Sequence, residues 1–132
     1  MLFTHPKDFT PVCTTELSQC QIMAPDFGKM GVKLIGLSCD EVEQHHAWSK
    51  DVLAKAKLDG DSLHFPTIAD PNRDIVVQLG MLDPVEKDAA GLPLPARALV
   101  IIGPDATVKL TLLCLCPTKW RLELLPRCVG VS

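Results

Sequence analysis

The chain has 132 residues, of which 47% are hydrophobic and 22% are charged. That length and composition predict a single folded domain and exclude collagen-like, disordered and coiled-coil proteins. The 13 basic residues are scattered among 16 acidic ones, so they form no strongly positive cluster that could attract nucleic acid. The longest apolar runs, residues 98–102 and 112–116, are far shorter than the roughly 20 residues of a membrane span. We therefore expect neither a nucleic-acid partner nor a membrane span.

Six cysteines raise the question of whether disulfides hold the protein together. The N-terminal sequence has no long apolar stretch between a basic head and a small-residue cleavage site, so we expect no secretory signal and a cytoplasmic location. Thiols stay unpaired in a reducing compartment, and a chain with enough apolar residues for a core does not need disulfides. We expect free thiols, some of them buried as small apolar side chains.

The first predicted elements are a short strand and a long helix. Residues 1–3 are expected to end a strand, and a loop follows to Thr10. Thr10 suits the N-cap of a helix and Pro11 its first position, where the missing N–H costs nothing. Apolar side chains at helical spacing predict the buried face of this helix: Cys13, Leu17, Cys20, Ala24 and Phe27.

A second strand and helix are expected next. Residues 32–37 are mostly apolar and predict a buried strand. Asp40 and Glu43 suit the N-cap and the third position of a helix that ends near Ala56. His45 and His46 would then lie on the solvated side of this helix.

The third unit is shorter. Residues 65–69 predict a strand, and Asp70 and Pro71 repeat the cap-and-proline pattern at the start of a helix. Gly80 suits the position just after that helix ends.

The last part of the pattern predicts a loop and a hairpin. Residues 83–95, rich in Asp, Gly and Pro, are expected to form the loop, and residues 97–102 and 108–113 the two strands. The alternation of strands and helices followed by a hairpin predicts an α/β fold. We expect a mixed sheet flanked by helices in the thioredoxin-like arrangement.

Cys13 is the first candidate for chemistry because it lies in the first turn of a predicted helix. Free backbone N–H groups and the positive end of the helix dipole favour a thiolate there. The alternative is that Cys13 is a small core residue, since unpaired cysteine is often buried. Position alone leaves both interpretations open.

The sequence around Cys13 resembles a known motif. Residues 5–16 read HPKDFTPVCTTE, which is similar to the peroxidatic-cysteine motif of peroxiredoxins. Further segments resemble the 1-Cys, peroxiredoxin-6 type: VKLI at 32–35, AWSKD at 47–51, LGMLDP at 79–84 and AR at 96–97. The resemblance covers residues 1–113, which we treat as one peroxiredoxin domain, and residues 114–132 form a divergent tail.

The resemblance implies a role for five residues. Cys13 would be the peroxidatic cysteine and Thr10 its hydroxyl hydrogen-bond partner. Pro6 would shield the pocket, Arg97 would activate the thiolate, and Glu16 would orient that arginine. A planar guanidinium suits the task because it can donate to sulfur and to a peroxide oxygen at once.

The implied function is a thiol-dependent peroxidase that reduces hydrogen peroxide and organic hydroperoxides. The sulfenic acid formed on the single peroxidatic cysteine would be reduced by an external thiol such as glutathione, and no other cofactor is expected. Cys20 and Cys39 match no resolving cysteine and are expected in the core. Cys114 and Cys116, followed by a proline, resemble a resolving Val-Cys-Pro segment but follow the hairpin too early for that motif. Zinc binding with His45, His46 or His64 is the other idea for the three remaining cysteines, but their spacing matches no standard zinc site: Cys114, Cys116 and Cys128.

The chain also departs from the family pattern. Relatives begin earlier and carry there a His and a Ser assigned to phospholipase activity; only Asp105 matches that triad here, so phospholipase activity is not expected. We expect the fold to be incomplete at both ends. The alternative function is therefore a truncated, catalytically weak form that acts as an interaction partner of a full-length peroxiredoxin. Either form is expected to be a homodimer, or a heterodimer with a full-length relative, through strand 108–113.

Overall fold

The computed structural model describes residues 1–114 of the chain, except for the side chain of Cys114. Strands and helices alternate in its first part, and strands make up the rest. In chain order they are β1 (Leu2–Thr4), α1 (Pro11–Lys29), β2 (Ile35–Ser38), α2 (Val42–Ala56), β3 (Thr67–Ala69), α3 (Asp74–Gln78), β4 (Leu82–Lys87), β5 (Pro93–Pro95), β6 (Arg97–Ile102) and β7 (Val108–Cys114). The predicted tail, residues 114–132, lies almost entirely outside the described residues.

Five strands form one mixed sheet in the order β3-β2-β1-β6-β7. The pairs β1–β2 and β2–β3 are parallel, as expected when a helix connects each strand to the next. The pairs β1–β6 and β6–β7 are antiparallel, and β7 lies at the edge of this sheet. The predicted mixed sheet with a terminal hairpin is confirmed.

One face of the sheet packs against α1 and α2. The apolar side of α1 is buried as its spacing predicts, with Leu17 and Phe27 almost fully enclosed. Trp48 and Val52 of α2 join the same cluster, and Leu99 of β6 contributes from the sheet. Burial of large apolar side chains of this kind stabilises a fold by about 1.5–3 kcal/mol each.

The opposite face of the sheet is covered near α3. Ala98 and Val100 of β6 point to this side, whereas Leu99 between them points to the first cluster, as a strand period of two requires. Leu37 of β2 and Val76 of α3 complete the second cluster. The central strands are therefore buried on both faces, and they fix the positions of the residues at their ends.

The start of α2 lies one residue later than predicted. Glu41, not Asp40, is the N-cap, and Glu41 and Gln44 form a reciprocal capping box. The carboxylate of Asp40 is already engaged, because it accepts hydrogen bonds from the Asp8 N–H and the Ser38 hydroxyl. The contact with Asp8, which is distant in sequence, therefore keeps Asp40 from capping α2.

The predicted start of α3 at Asp70 and Pro71 is wrong. Arg73, in the left-handed conformation with φ of 65°, precedes the helix, which begins at Asp74. The backbone turns between Asp70 and Arg73, and the Asp70 carboxylate accepts a hydrogen bond from the Val76 N–H, inside the helix. The predicted stop is confirmed: Gly80 follows α3 with φ of 65°.

The predicted loop at residues 83–95 is also wrong. Strands β4 and β5 pair there as a small antiparallel sheet. Asp88 closes the connection, since its side chain accepts hydrogen bonds from the N–H groups of Ala90 and Leu92. Prolines inside this ribbon obscure its strand pattern, because proline is tolerated only at sheet edges.

Two strand bounds also differ from the prediction. Strands β2 and β3 begin later than predicted because pairing starts only at Ile35 and Thr67. No helix within residues 1–114 is long and apolar enough to cross a membrane.

Candidate active site

Cys13 is the third residue of α1 and its side chain is completely buried. Pro11 occupies the first helical position as predicted, and Thr10 is the N-cap with extended backbone. The Thr10 hydroxyl does not cap the helix; it donates to the Lys7 carbonyl at 3.2 Å. It also lies near enough to Cys13 to lower the pKa of that thiol.

Arg97 and Glu16 reach the same sulfur from two directions. Arg97 begins β6, and its Nη2 donates to Cys13 Sγ at 3.6 Å. Its Nε donates to Glu16 Oε2 at 3.3 Å. Glu16 lies one turn after Cys13 on α1, and its side chain is only 4% exposed. The fold thus brings together residues more than 80 positions apart in the chain, as the resemblance implies.

The surroundings of Cys13 raise its pKa, whereas the sequence predicted a favoured thiolate. Burial raises the pKa of the thiol; hydrogen bonds from Thr10 and the Lys7 backbone and the charge of Arg97 lower it, and Glu16 raises it again. The pKa stays above its usual value because the sulfur has no access to water. The first-turn position supplies favourable contacts, but complete burial outweighs them.

Pro6 is half-buried in the loop between β1 and α1. With Lys7, Cys39 and Arg73 it lines a cavity of about 320 Å³ beside this loop. Its expected role as a shield over the sulfur stays a prediction.

The other two described thiols lack these contacts. Burial and the negative charge of Glu16 raise the pKa of Cys20 to about 12, and burial also raises the pKa of Cys39 to about 11. Both are unpaired, as expected, and Cys20 lies in the core. Cys39 is only half-buried, against the second cluster. The side chains of the remaining cysteines lie outside the described part of the molecule: Cys114, Cys116 and Cys128.

A buried chain of polar side chains holds the loop that precedes Cys13. His5 Nε2 lies 2.6 Å from Asp8 Oδ1, and His45 Nδ1 of α2 lies 2.5 Å from Asp8 Oδ2. The Asp8 N–H donates to Asp40 at 2.9 Å. The prediction that His45 lies on a solvated face is wrong, although its neighbour His46 is exposed.

Charge and burial determine how this chain ionises. Burial raises the pKa of Asp8, but hydrogen bonds from His45 and His5 outweigh it and lower the pKa to about 2. Burial lowers the pKa of His45, but its hydrogen bond to Asp8 and the charges of Asp8 and Asp40 raise it above the usual value. Asp8 is therefore ionised at neutral pH and accepts hydrogen bonds from both imidazoles.

The sequence analysis missed this chain of residues. The spacing of His5 and Asp8 is only a loop pattern, and nothing local connects either residue to His45.

A second unanticipated feature is Phe9, which has φ of 61°, an unusual conformation for a bulky side chain. Phe9 lies directly before the N-cap and packs near Trp48, with ring centroids 6.4 Å apart.

Among the described residues, one imidazole and two carboxylates lie close enough together to hold a metal ion. The potential ligand atoms of His5, Asp8 and Asp40 lie within 4.8 Å of one another. Both carboxylates already have hydrogen-bond donors. Imidazole nitrogens donate to Asp8, and a backbone N–H and a hydroxyl donate to Asp40. The donor and acceptor pairing is that of a hydrogen-bond network.

Comparison with known proteins identifies the family. Residues 1–111 match the sequence profile of the AhpC/TSA family. The chain belongs to this family. It is 54% identical over 114 residues to peroxiredoxin-6 of Bos taurus, and 52% identical over 122 residues to the 1-Cys peroxiredoxin of Dirofilaria immitis. Each alignment covers 86% of this chain, but the chain spans only about half the length of these relatives, 51% and 52%.

Solved structures of AhpC/TSA relatives agree with the fold. A cysteine-to-serine mutant of the peroxiredoxin 6 of Arenicola marina superimposes with a TM-score of 0.93 at 46% identity, covering 97% of this chain and 58% of that one. The yeast mitochondrial 1-Cys peroxiredoxin, described with a thiol-resolving mechanism via glutathione/thioredoxin systems, gives 0.84 at 33% identity and covers 97% and 60%. The thioredoxin-like fold and the resemblance to 1-Cys peroxiredoxins are confirmed. These relatives give no support to the alternative of a truncated, catalytically weak form that acts as an interaction partner of a full-length peroxiredoxin.

Proposed function

We propose that the chain is a thiol-dependent peroxidase that reduces hydrogen peroxide and organic hydroperoxides at Cys13. The observation that carries the proposal is the contact between Arg97 Nη2 and the Cys13 sulfur at 3.6 Å, at the N-terminus of α1. A guanidinium beside a thiol in the first turn of a helix is an arrangement that stabilises a thiolate and a departing oxygen anion.

In the first half of the reaction the Cys13 thiolate attacks one oxygen of the hydroperoxide. An S–O bond forms and the O–O bond breaks, so that the sulfur is oxidised to a sulfenic acid and the peroxide is reduced. The second oxygen leaves as hydroxide or alkoxide and takes up a proton to become water or an alcohol. Thr10 and Arg97 would donate hydrogen bonds where negative charge develops, and Glu16 would hold the guanidinium in place.

The raised pKa of Cys13 is compatible with this reaction if the sulfur meets water or peroxide before it reacts. Burial is the main cause of the raised pKa, whereas Thr10, Lys7 and Arg97 all lower it. Opening of the loop of residues 5–10, where Pro6 lies, would hydrate the sulfur and remove that main cause. We propose that the thiolate forms on this opening.

The sulfenic acid is proposed to be reduced by an external thiol such as glutathione. The external thiol attacks the Cys13 sulfur and releases water, and a second thiol cleaves the mixed disulfide to restore Cys13. Among the described thiols, Cys20 and Cys39 are poor resolving groups because their pKa values are raised to about 12 and about 11. Three unpaired thiols also suit a reducing, cytoplasmic compartment.

We further propose that the protein forms a dimer through β7. This strand lies at the edge of the five-stranded sheet, where its outer backbone groups can pair with another strand. Exposed apolar side chains accompany it: Val108, Leu112 and Leu113. A second copy of the chain, or a full-length relative, could cover both.

Peroxide consumption in the presence of glutathione, and separately of dithiothreitol, tests the peroxidase function. We expect consumption of many equivalents of peroxide per chain with at least one of these thiols. Oxidation that stops after one equivalent would show that the chain reacts but does not turn over, and would overturn the proposal.

A further inference from the structure

A small enclosed cavity lies between the sheet and α1, directly behind the active-site residues. Its polar lining comes from Thr4, His5 and Glu16, and its volume is about 10 Å³. The remaining lining is apolar: Phe3, Leu17, Cys20 and Leu99. A space of this size is close to the minimum for one water molecule, which also needs at least two polar partners.

His5, one of the polar residues that line the cavity, carries a buried nitrogen without a hydrogen-bond partner in the described part of the chain. His5 is only 1% exposed, and its Nδ1 has no hydrogen-bond partner among residues 1–114. The other ring nitrogen, Nε2, is used by Asp8. A buried polar atom left without a partner is unfavourable, so this nitrogen favours a ligand that can donate a hydrogen bond to it.

The tautomer of His5 follows from its partner. Asp8 is ionised and can only accept, so the hydrogen of a neutral His5 ring is on Nε2. Nδ1 is then an acceptor. Glu16 also lines the cavity, and its carboxylate is an acceptor as well. A water molecule has two hydrogens to donate.

We propose that this cavity binds one water molecule, which donates hydrogen bonds to His5 Nδ1 and to the Glu16 carboxylate. The water would link the chain of His5, Asp8 and His45 to the pair of Glu16 and Arg97. Buried polar contacts thereby connect Cys13 to four parts of the fold: helices α1 and α2, strand β6 and the loop that precedes α1.

The water acts on the sulfur only through Glu16 and Arg97, so His5 is a positioning residue. The water donates a hydrogen bond to the Glu16 carboxylate and so weakens the attraction between that carboxylate and the Arg97 guanidinium. Without the water, Glu16 attracts Arg97 more strongly and weakens the hydrogen bond from Arg97 to the Cys13 sulfur. The consequence for peroxide reduction rests on the proposed function, whereas the water site does not.

A crystal structure of the protein at a resolution that shows ordered water is the direct test. We expect one water within about 2.7–3.2 Å of both His5 Nδ1 and a Glu16 oxygen. An empty cavity, or a water that touches only one of these atoms, would overturn the proposal.

Substitutions at Cys20, which lines the cavity but lies outside the reacting group, give a test in solution. Cys20→Leu fills the space and expels the water, whereas the control Cys20→Ala enlarges it and leaves the water in place. We expect Cys20→Leu to slow the alkylation of Cys13 by iodoacetamide about two- to tenfold, the effect of one hydrogen bond, and to raise the pKa read from its pH profile.

The result that contradicts the proposal is the same alkylation profile in both Cys20 variants. If Cys20→Leu does not fold, Cys20→Val, which adds less volume, replaces it in the same comparison. Alkylation uses no peroxide, so a protein that binds the water but fails to turn over peroxide would refute the proposed function and leave this inference standing.

Discussion

Burial raises the pKa of the Cys13 thiol, whereas the charge of Arg97 and nearby hydrogen bonds lower it. The sequence motif predicted the residue types around it, and the fold brings Thr10, Arg97 and Glu16 together with Cys13. The motif could not show that the thiol is completely buried, because burial depends on how the loop before α1 closes over it. The expected low pKa was therefore wrong for this arrangement.

Substitution of the cysteines tests which thiol reacts. Cys13→Ser is expected to abolish peroxide consumption, because a hydroxyl is not a nucleophile under these conditions. The matched variants Cys20→Ser and Cys39→Ser should keep most of it, since neither thiol contacts Arg97. Initial rates of peroxide loss with a thiol reductant measure this, and activity retained in Cys13→Ser would refute the mechanism.

Substitution of Arg97 by lysine tests the guanidinium. Arg97 donates through Nη2 to the sulfur and through Nε to Glu16, and an ammonium group cannot reproduce both bonds in that geometry. Arg97→Lys is expected to raise the pKa of Cys13 and to slow its reaction with peroxide about tenfold or more. A thiol titration that gives the same pKa in both proteins would remove Arg97 from the site.

At the scale of elements, local patterns predicted α1, the end of α2 and the β6–β7 hairpin. The errors arose where distant residues compete for a local group. Asp40 is taken from its expected capping role by Asp8 and Ser38. The ribbon of β4 and β5 was missed because its pairing depends on the Asp88 turn rather than on alternation.

The link between α2 and the active-site loop is expected to depend on pH. Because the pKa of His45 is raised in the folded protein, its stabilisation is fully present below its ordinary value of 6.5 and is lost as the pH rises through the raised value. The difference in free energy of unfolding between the wild type and His45→Gln should therefore shrink as the pH rises from 6.5 through the raised pKa of His45. Urea unfolding at several pH values measures it.

The neighbouring exposed His46 on the same helix supplies the control for this prediction. His46→Gln should change the free energy of unfolding little at any of these pH values, because exposed substitutions are usually within about 0.5 kcal/mol. A stability difference for His45→Gln that does not depend on pH would contradict the assignment of the charge to His45.

At the scale of the whole molecule, the edge strand β7 determines how copies of the chain can meet. Val108→Lys combined with Leu113→Lys places charges beside the unpaired edge and is expected to weaken self-association. Val85→Lys is the matched control, since Val85 is 79% exposed on β4, outside the five-stranded sheet. Sedimentation velocity measures the outcome, and a wild-type chain that is monomeric at micromolar concentration would contradict the proposed dimer.

The central claim is that Cys13 is the thiol that peroxide oxidises. It is tested most directly by treating the reduced protein with one equivalent of hydrogen peroxide, trapping sulfenic acid with dimedone, and locating the label by mass spectrometry. We predict that the label lies on Cys13 and that labelling of Cys13 falls when Arg97 is replaced by lysine. A label spread over Cys13, Cys20 and Cys39, or absent from Cys13, would contradict the account.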